Sequence, residues 1–176
     1  VAGMSGEQDM AEWVRREDRA GVVELIIDHP PVNVLTVEVL QQLYAELVDL
    51  GSARAVLLRA EGRCFSAGAD VREHLPELAD GMLVAMRRVL ERLLLLDVPS
   101  VVAVHGDARG GGLELVAACD LAVAAVDAQL GQPEILLGCF APFAAALLPP
   151  LVGRQRAAGL LLTGESVSGQ HGQALG

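Results

Sequence analysis

Apolar runs of strand length alternate along this chain with longer segments in which apolar residues recur every three or four positions. Val22 to Ile27 is a largely β-branched run closed by Asp28-His29-Pro30-Pro31, which predicts a strand followed by a turn. From Thr36 to Leu50, the residues Val37, Leu40, Leu43, Tyr44 and Leu47 share one helical face, with Thr36 as N-cap and Gly51 just past the end. Ala55 to Leu58 reads as a second strand. Gly81 to Leu96 has arginines and Glu91 interrupting leucines at helical spacing, and Val98-Pro99 stops it. Val101 to Val104 is a third strand, Gly111 to Ala118 a short helix and Leu121 to Ala125 a fourth strand. This alternation predicts an α/β layered domain with right-handed crossovers, in which ligands bind where loops leave the strand ends. Ile135 to Val152 carries no charge and is long enough to raise the question of a membrane span. Gly138, Pro142, Pro149 and Pro150 argue against a continuous helix there, so a buried loop plus a short helix is expected.

Composition narrows the function classes. The 176 residues, 52% hydrophobic, suit one domain spanning 1–176, with residues 1–10 expected to be flexible and Val1 to Gly3 read as an extension ahead of a natural Met4. The start lacks a basic flank followed by an apolar run, so no signal peptide is expected, and the reading is cytoplasmic. A formal charge of -10 leaves no basic stripe for a nucleic-acid backbone. All 13 basic residues are arginine, and the absence of lysine removes Schiff-base chemistry and the P-loop. Cys64, Cys119 and Cys139 read as reduced core thiols. His29, His74, His105 and His171 lack the short spacings of zinc ligands, and no metal is expected.

Chemistry concentrates in two glutamates twenty residues apart, Glu114 in Arg109-Gly110-Gly111-Gly112-Leu113-Glu114 and Glu134 in Gly131-Gln132-Pro133-Glu134-Ile135. Each lies among glycine and hydrocarbon, where a lone carboxylate is costly unless a partner or a task stabilises it. A glycine run at a helix start presents unpaired N–H groups backed by the helix dipole, suited to an anion or a developing oxyanion. The same run also fits plain close packing, with Glu114 only complementing the dipole. These residues by themselves do not choose between the two.

Four ordered motifs carry a resemblance: Cys64 to Asp70, Gly106 to Glu114 with Ala118-Cys119-Asp120 behind it, Leu130 to Gly138, and Leu161 to Gly164. In this order and at these separations the chain resembles the enoyl-CoA hydratase/isomerase, or crotonase, superfamily, from Val22 through the Asn33-Val34-Leu35 loop to Leu162-Thr163-Gly164. The resemblance implies an α/β fold of the crotonase-like ββα-superhelix type, layered sheets with flanking helices, and a homo-oligomer, either a trimer or a dimer of trimers. Family chains usually continue past position 176 into a C-terminal helical region, expected to be missing here.

The family's arrangement implies an oxyanion hole from the N–H groups of Ala67 and Gly111 around the thioester carbonyl of an acyl-CoA. Glu114 and Glu134 would hold the attacking water, Glu114 taking its proton and Glu134 delivering one to the α-carbon. Val32, Val34, Ser66, Ala67, Gly68, Ala69, Asp70, Val71, Gly110 and Gly111 match substrate- and CoA-contacting positions. Arg63 and Arg72 flank the loop as candidate partners of the CoA phosphates, or as plain surface charge. Coenzyme A enters as part of the substrate, and no permanently bound cofactor is implied.

Gly138 to Pro149 departs from the usual family wording and is most similar to the cyclohexa-1,5-dienecarbonyl-CoA hydratase branch. Phe140 and Phe143 would then line an apolar acyl pocket, unless they serve core packing. The implied function is a lyase adding water to an α,β-unsaturated acyl-CoA, including a cyclic dienoyl ester. A double-bond isomerase or thioester hydrolase on the same fold is the second reading, and a truncated, non-catalytic CoA-binding or interaction protein the third.

Overall fold

The computed structural model of the chain describes residues 11–176, so the expectation about residues 1–10 lies outside the described residues. Strand β1 (Val14–Arg19) turns through Ala20 and Gly21, both at positive φ, into β2 (Val22–Ile27). Then come β3 (Val34–Leu35), α1 (Val37–Val48), β4 (Ala55–Ala60), β5 (Gly68–Ala69), a 3-10 turn (Val71–His74) and α2 (Ala79–Leu94). They are followed by β6 (Ser100–Val104), β7 (Ala108–Arg109), α3 (Gly111–Ala118), β8 (Leu121–Ala124), β9 (Gln129–Gly131) and a second 3-10 turn (Pro133–Leu137). The chain closes with α4 (Pro142–Val152), α5 (Arg154–Thr163), β10 (Ser166–Ser168) and α6 (Gly169–Leu175).

Five strands form the main sheet in the order β1-β2-β4-β6-β8, with β1 antiparallel to β2 and the others parallel. One face is apolar by period-two alternation: Val56, Leu58 and Ala60 of β4, and Val102 and Val104 of β6, are all buried. Helices α1 and α2 cover that face with Leu40, Leu43 and Leu47 and with Met86, Val89, Leu90 and Leu93. Each such side chain contributes about 1.5–3 kcal/mol by burial. Thr36 caps α1 as expected, its side chain accepting from the Val39 N–H at 3.3 Å.

The expected elements between 22 and 125 are all present, with ends shifted by up to two residues. Strand β1 was not expected, because Arg15-Arg16-Glu17-Asp18-Arg19 shows no apolar alternation. It forms as an edge strand whose ladder to β2 satisfies its backbone, while its charged side chains pair locally, as Arg16 does with Asp18 at 3.0 Å. The expected loop plus helix is found, with the chain breaking at residues 138–141 before α4, which contains Pro149 and Pro150; the loop is largely exposed, where a buried one was expected. Pro142 starts α4 at a position where no N–H is needed. The later two prolines fall in its last turns, where the carbonyls that lose their donors belong to the half-buried Ala145 and the exposed Ala146. Helices α4 and α5 enclose a second small core of Ala141, Ala144, Leu148, Ala157 and Leu160.

Asp120, which follows α3, clamps the start of β6. Its carboxylate accepts from the Ser100 N–H and hydroxyl, both at 2.8 Å, and its N–H donates to the Ser100 hydroxyl at 2.9 Å. Those bonds hold the Asp120 carboxyl below its usual range. The Ala118-Cys119-Asp120 motif is thus structural. Asp120→Ala strands the buried Ser100 N–H and is expected to cost about 1–3 kcal/mol. Urea unfolding should show a lower midpoint with an unchanged m-value.

Candidate active site

The first wall of the site is the loop from Cys64 to Asp70, held by two buried side chains. Asn33, at a φ of 52°, accepts from the His29 N–H at 2.8 Å and donates to the Glu61 and Cys64 carbonyls at 2.7 and 2.9 Å. Ser66 donates to the Asn33 carbonyl at 2.7 Å and accepts from the Gly68 N–H at 3.1 Å. Gly68 has a φ of 100°, and a Cβ there would lie 2.9 Å from the Arg109 carbonyl oxygen. Only glycine lets the loop swing this close to β7.

This geometry corrects one implied role. The Ala67 N–H is not free; it donates to the Val32 carbonyl at 2.9 Å. The neighbouring donor that faces the site belongs to Ala69. Strand β5 pairs with β3 in parallel with Leu35 opposite Ala69, and the Asp70 N–H donates to the Leu35 carbonyl at 3.3 Å. Leu35 is therefore the bonded member of that pair, and the Ala69 N–H turns away from β3. It turns towards Gly111: a Cβ on Gly111 would sit 3.4 Å from the Ala69 nitrogen. Gly111 opens α3, so its own N–H has no carbonyl one turn earlier. Two backbone donors, Ala69 and Gly111, thus lie side by side, over a floor made by Leu35 and Met86.

Both glutamates enter the same space. Glu114, in the first turn of α3, is 5% exposed, and its Oε1 accepts from the Ala144 N–H of α4 at 2.9 Å. Burial pushes its carboxyl up to about 7; the Ala144 N–H opposes this, and the nearby charge of Glu134 adds to it. Glu134 sits in the second 3-10 turn over Gly110, where a Cβ on that glycine would lie 2.5 Å from Glu134 Oε1. Its Oε2 is buried and has no partner among the described residues. Burial raises the Glu134 carboxyl too, while its own N–H and the positive charge of His74 pull it down. The structure therefore brings together the two acids that sequence spacing could not.

Other expected contact residues divide. Val32 and Val34 are half-buried beside the loop, and Ser66, Gly68 and Gly110 shape it from within. Asp70 is buried and accepts from the Arg72 backbone and guanidinium, which holds its carboxyl below its usual range. Arg72 is thereby tied to Asp70, whereas Arg63 is exposed and makes no ion pair among the described residues. Val71 is exposed. Phe140, expected to line an acyl pocket, is 72% exposed. Phe143 packs against the main core, which is the alternative its sequence allowed.

Four contributors escaped sequence reasoning: Asn33 as the loop anchor, Ala144 as a backbone donor, His74 beside Glu134, and the fully buried Gln132. Only Gln132 carried a signal, a lone amide two residues before a glutamate in an apolar run. Among the described residues no cluster of His, Cys, Asp and Glu could hold a metal ion, and no helix is long and apolar enough to cross a membrane.

A raised carboxyl has a sign in stability. The folded Glu114 holds its proton from about 4.5, the ordinary glutamate value, up to about 7, so over that window the native state binds more protons than the unfolded state. Stability should fall as pH rises through the window and level off above it. Relative to Glu114→Gln, which stays neutral, the wild-type chain is expected to lose roughly 3 kcal/mol between pH 5 and pH 8. Urea unfolding of both proteins at the two pH values checks this.

Comparison with known proteins places the chain in a family. A family model described as enoyl-CoA hydratase/isomerase covers residues 17–176. Cyclohexa-1,5-dienecarbonyl-CoA hydratase of Thauera aromatica is 41% identical over 167 residues, covering 93% of this chain and 64% of that protein. A probable enoyl-CoA hydratase of Bacillus subtilis is 41% identical over 164 residues, covering 88% of this chain and 63% of that protein. The solved enoyl-CoA hydratase of Mycobacterium smegmatis superposes with a TM-score of 0.88 at 34% identity, covering 94% of this chain and 68% of that one. The chain thus spans just under two thirds of the length of these curated relatives. Its fold is the crotonase α/β fold, and the chain belongs to the enoyl-CoA hydratase/isomerase family.

Proposed function

We propose that the protein adds water across the α,β double bond of an enoyl thioester of coenzyme A. The observation that carries this reading is the pair of carboxyl groups, Glu114 buried and Glu134 half-buried, both shifted towards the protonated form beside two apposed backbone N–H groups. The Ala69 and Gly111 N–H groups donate to the thioester oxygen and stabilise the negative charge that builds there as the β-carbon is attacked. Glu114 takes a proton from water as its oxygen bonds to the β-carbon, and Glu134 gives a proton to the α-carbon. The π bond and one O–H bond break, a C–O and a C–H bond form, and the sum is one water added. Two acids whose titrations are pushed upward by a shared dry site suit one acting as base while the other holds a proton.

The likeness to a cyclohexa-1,5-dienecarbonyl-CoA hydratase favours a cyclic dienoyl ester as substrate. Val71, next to the site, and Arg63 face solvent and are free to meet the CoA moiety. Self-association, as a homotrimer or dimer of trimers, is the oligomer reading, and apolar side chains left exposed on β8, Leu121 at 60% and Val123 at 64%, support contact with further protein surface without fixing the number of copies.

Glu114→Gln and Glu134→Gln are each expected to lower the hydration rate by about 10²-fold or more with the fold retained. Loss of conjugated absorbance across a panel of acyclic enoyl and cyclic dienoyl CoA esters measures this and ranks the substrates. Full activity of both variants would overturn the reading. Products with a shifted double bond, or free CoA, would replace it with isomerisation or thioester hydrolysis.

A further inference from the structure

Gln132 is 1% exposed and makes one hydrogen bond, from its Nε2 to the Gly110 carbonyl at 3.2 Å. Its Oε1 is buried without a partner among the described residues. Exchanging the amide's oxygen and nitrogen would set two acceptors against each other, so the bond to Gly110 fixes its orientation. A buried amide with half its capacity unmet is a poor stability device, because a hydrocarbon of the same shape would leave nothing unpaired. Its one bond therefore points to a task.

The Gly110 carbonyl and the Gly111 N–H are opposite ends of one peptide unit. That carbonyl already accepts from the Glu114 N–H at 3.0 Å, and the Gly110 N–H donates to the Gly131 carbonyl at 2.9 Å. Gly110 has φ 50° and ψ -123°, a conformation with no steric side chain to hold it. We propose that Gln132 is a positioning residue: its amide locks the Gly110-Gly111 peptide so that the Gly111 N–H points at the thioester oxygen, and polarises that N–H into a better donor. A hydrogen bond to the oxygen of an amide strengthens the donor at its nitrogen. The inference rests on the hydratase reading and assigns to Gln132 a part in it that neither glutamate plays.

The test uses a para-amino-substituted cinnamoyl-CoA, whose absorption moves to longer wavelength when its carbonyl is polarised. Wild-type protein, Gln132→Met and Gln132→Leu are compared for this shift, for kcat and KM of hydration, and for thermal midpoint. In both variants the shift should shrink and kcat fall roughly tenfold or more, short of the ~10²–10³-fold that loss of an oxyanion donor itself costs. KM should change far less, and the midpoint should hold or rise because the orphaned oxygen is gone. A lower kcat with a full spectral shift, or a lost shift with full kcat, overturns the role of Gln132 and leaves the hydratase reading standing. A wild-type protein that binds the probe without any shift overturns the oxyanion reading, and this role with it. If one variant does not fold, the other decides by the same criteria.

Discussion

Where β5 meets the start of α3, backbone passes against backbone with no room for side chains. A Cβ on Gly68 would press on the Arg109 carbonyl, and one on Gly112 would come within 2.8 Å of the Ser66 Cβ and 3.0 Å of its carbonyl oxygen. This approach brings the Ala69 and Gly111 N–H groups side by side. It also forces the first turn of α3 under the loop, and so delivers Glu114 into the same dry volume. Asn33 and Ser66 hold one side of the contact through buried hydrogen bonds, and the bonds of Gly110 to Gly131 and Gln132 hold the other.

The same closeness is a liability for stability. A backbone donor without a partner, a carboxyl pushed up to about 7 and a carboxylate oxygen with no bond all lie within a few residues of one another. Each costs about 1–3 kcal/mol relative to a satisfied group. The surrounding core offsets this: two helices seal one face of the main sheet, and Asp120 ties α3 and β8 to the start of β6. Unmet polar capacity gathered in one place and absorbed by ordinary packing elsewhere is how a site stays ready for a substrate that supplies the missing partners.

Much of this was legible along the chain. The parallel strands, α1 with its Thr36 cap, and α2 follow from apolar period and turn residues, which are local properties. The two glutamates stood out because a carboxylate among hydrocarbon is expensive wherever the chain goes. Strand β1 was hidden because its stability comes from pairing with β2 rather than from its own pattern. The length of α4 was not legible because Pro149 and Pro150, which argue against a helix, fall within its last turns.

The assignment of the loop donor shows the division most clearly. Residue types and their order determined that Ser66-Ala67-Gly68-Ala69-Asp70 and Gly110-Gly111-Gly112 could pass backbone close against backbone, since only small residues and glycine allow it. Which alanine offers its N–H was decided by tertiary structure alone. The positive φ at Gly68 and the register of Leu35 against Ala69 spend the Ala67 donor on Val32 and turn the Ala69 donor towards Gly111. A hydrogen bond between segments more than thirty residues apart depends on where each backbone group ends up pointing, and nothing in the local sequence encodes that direction.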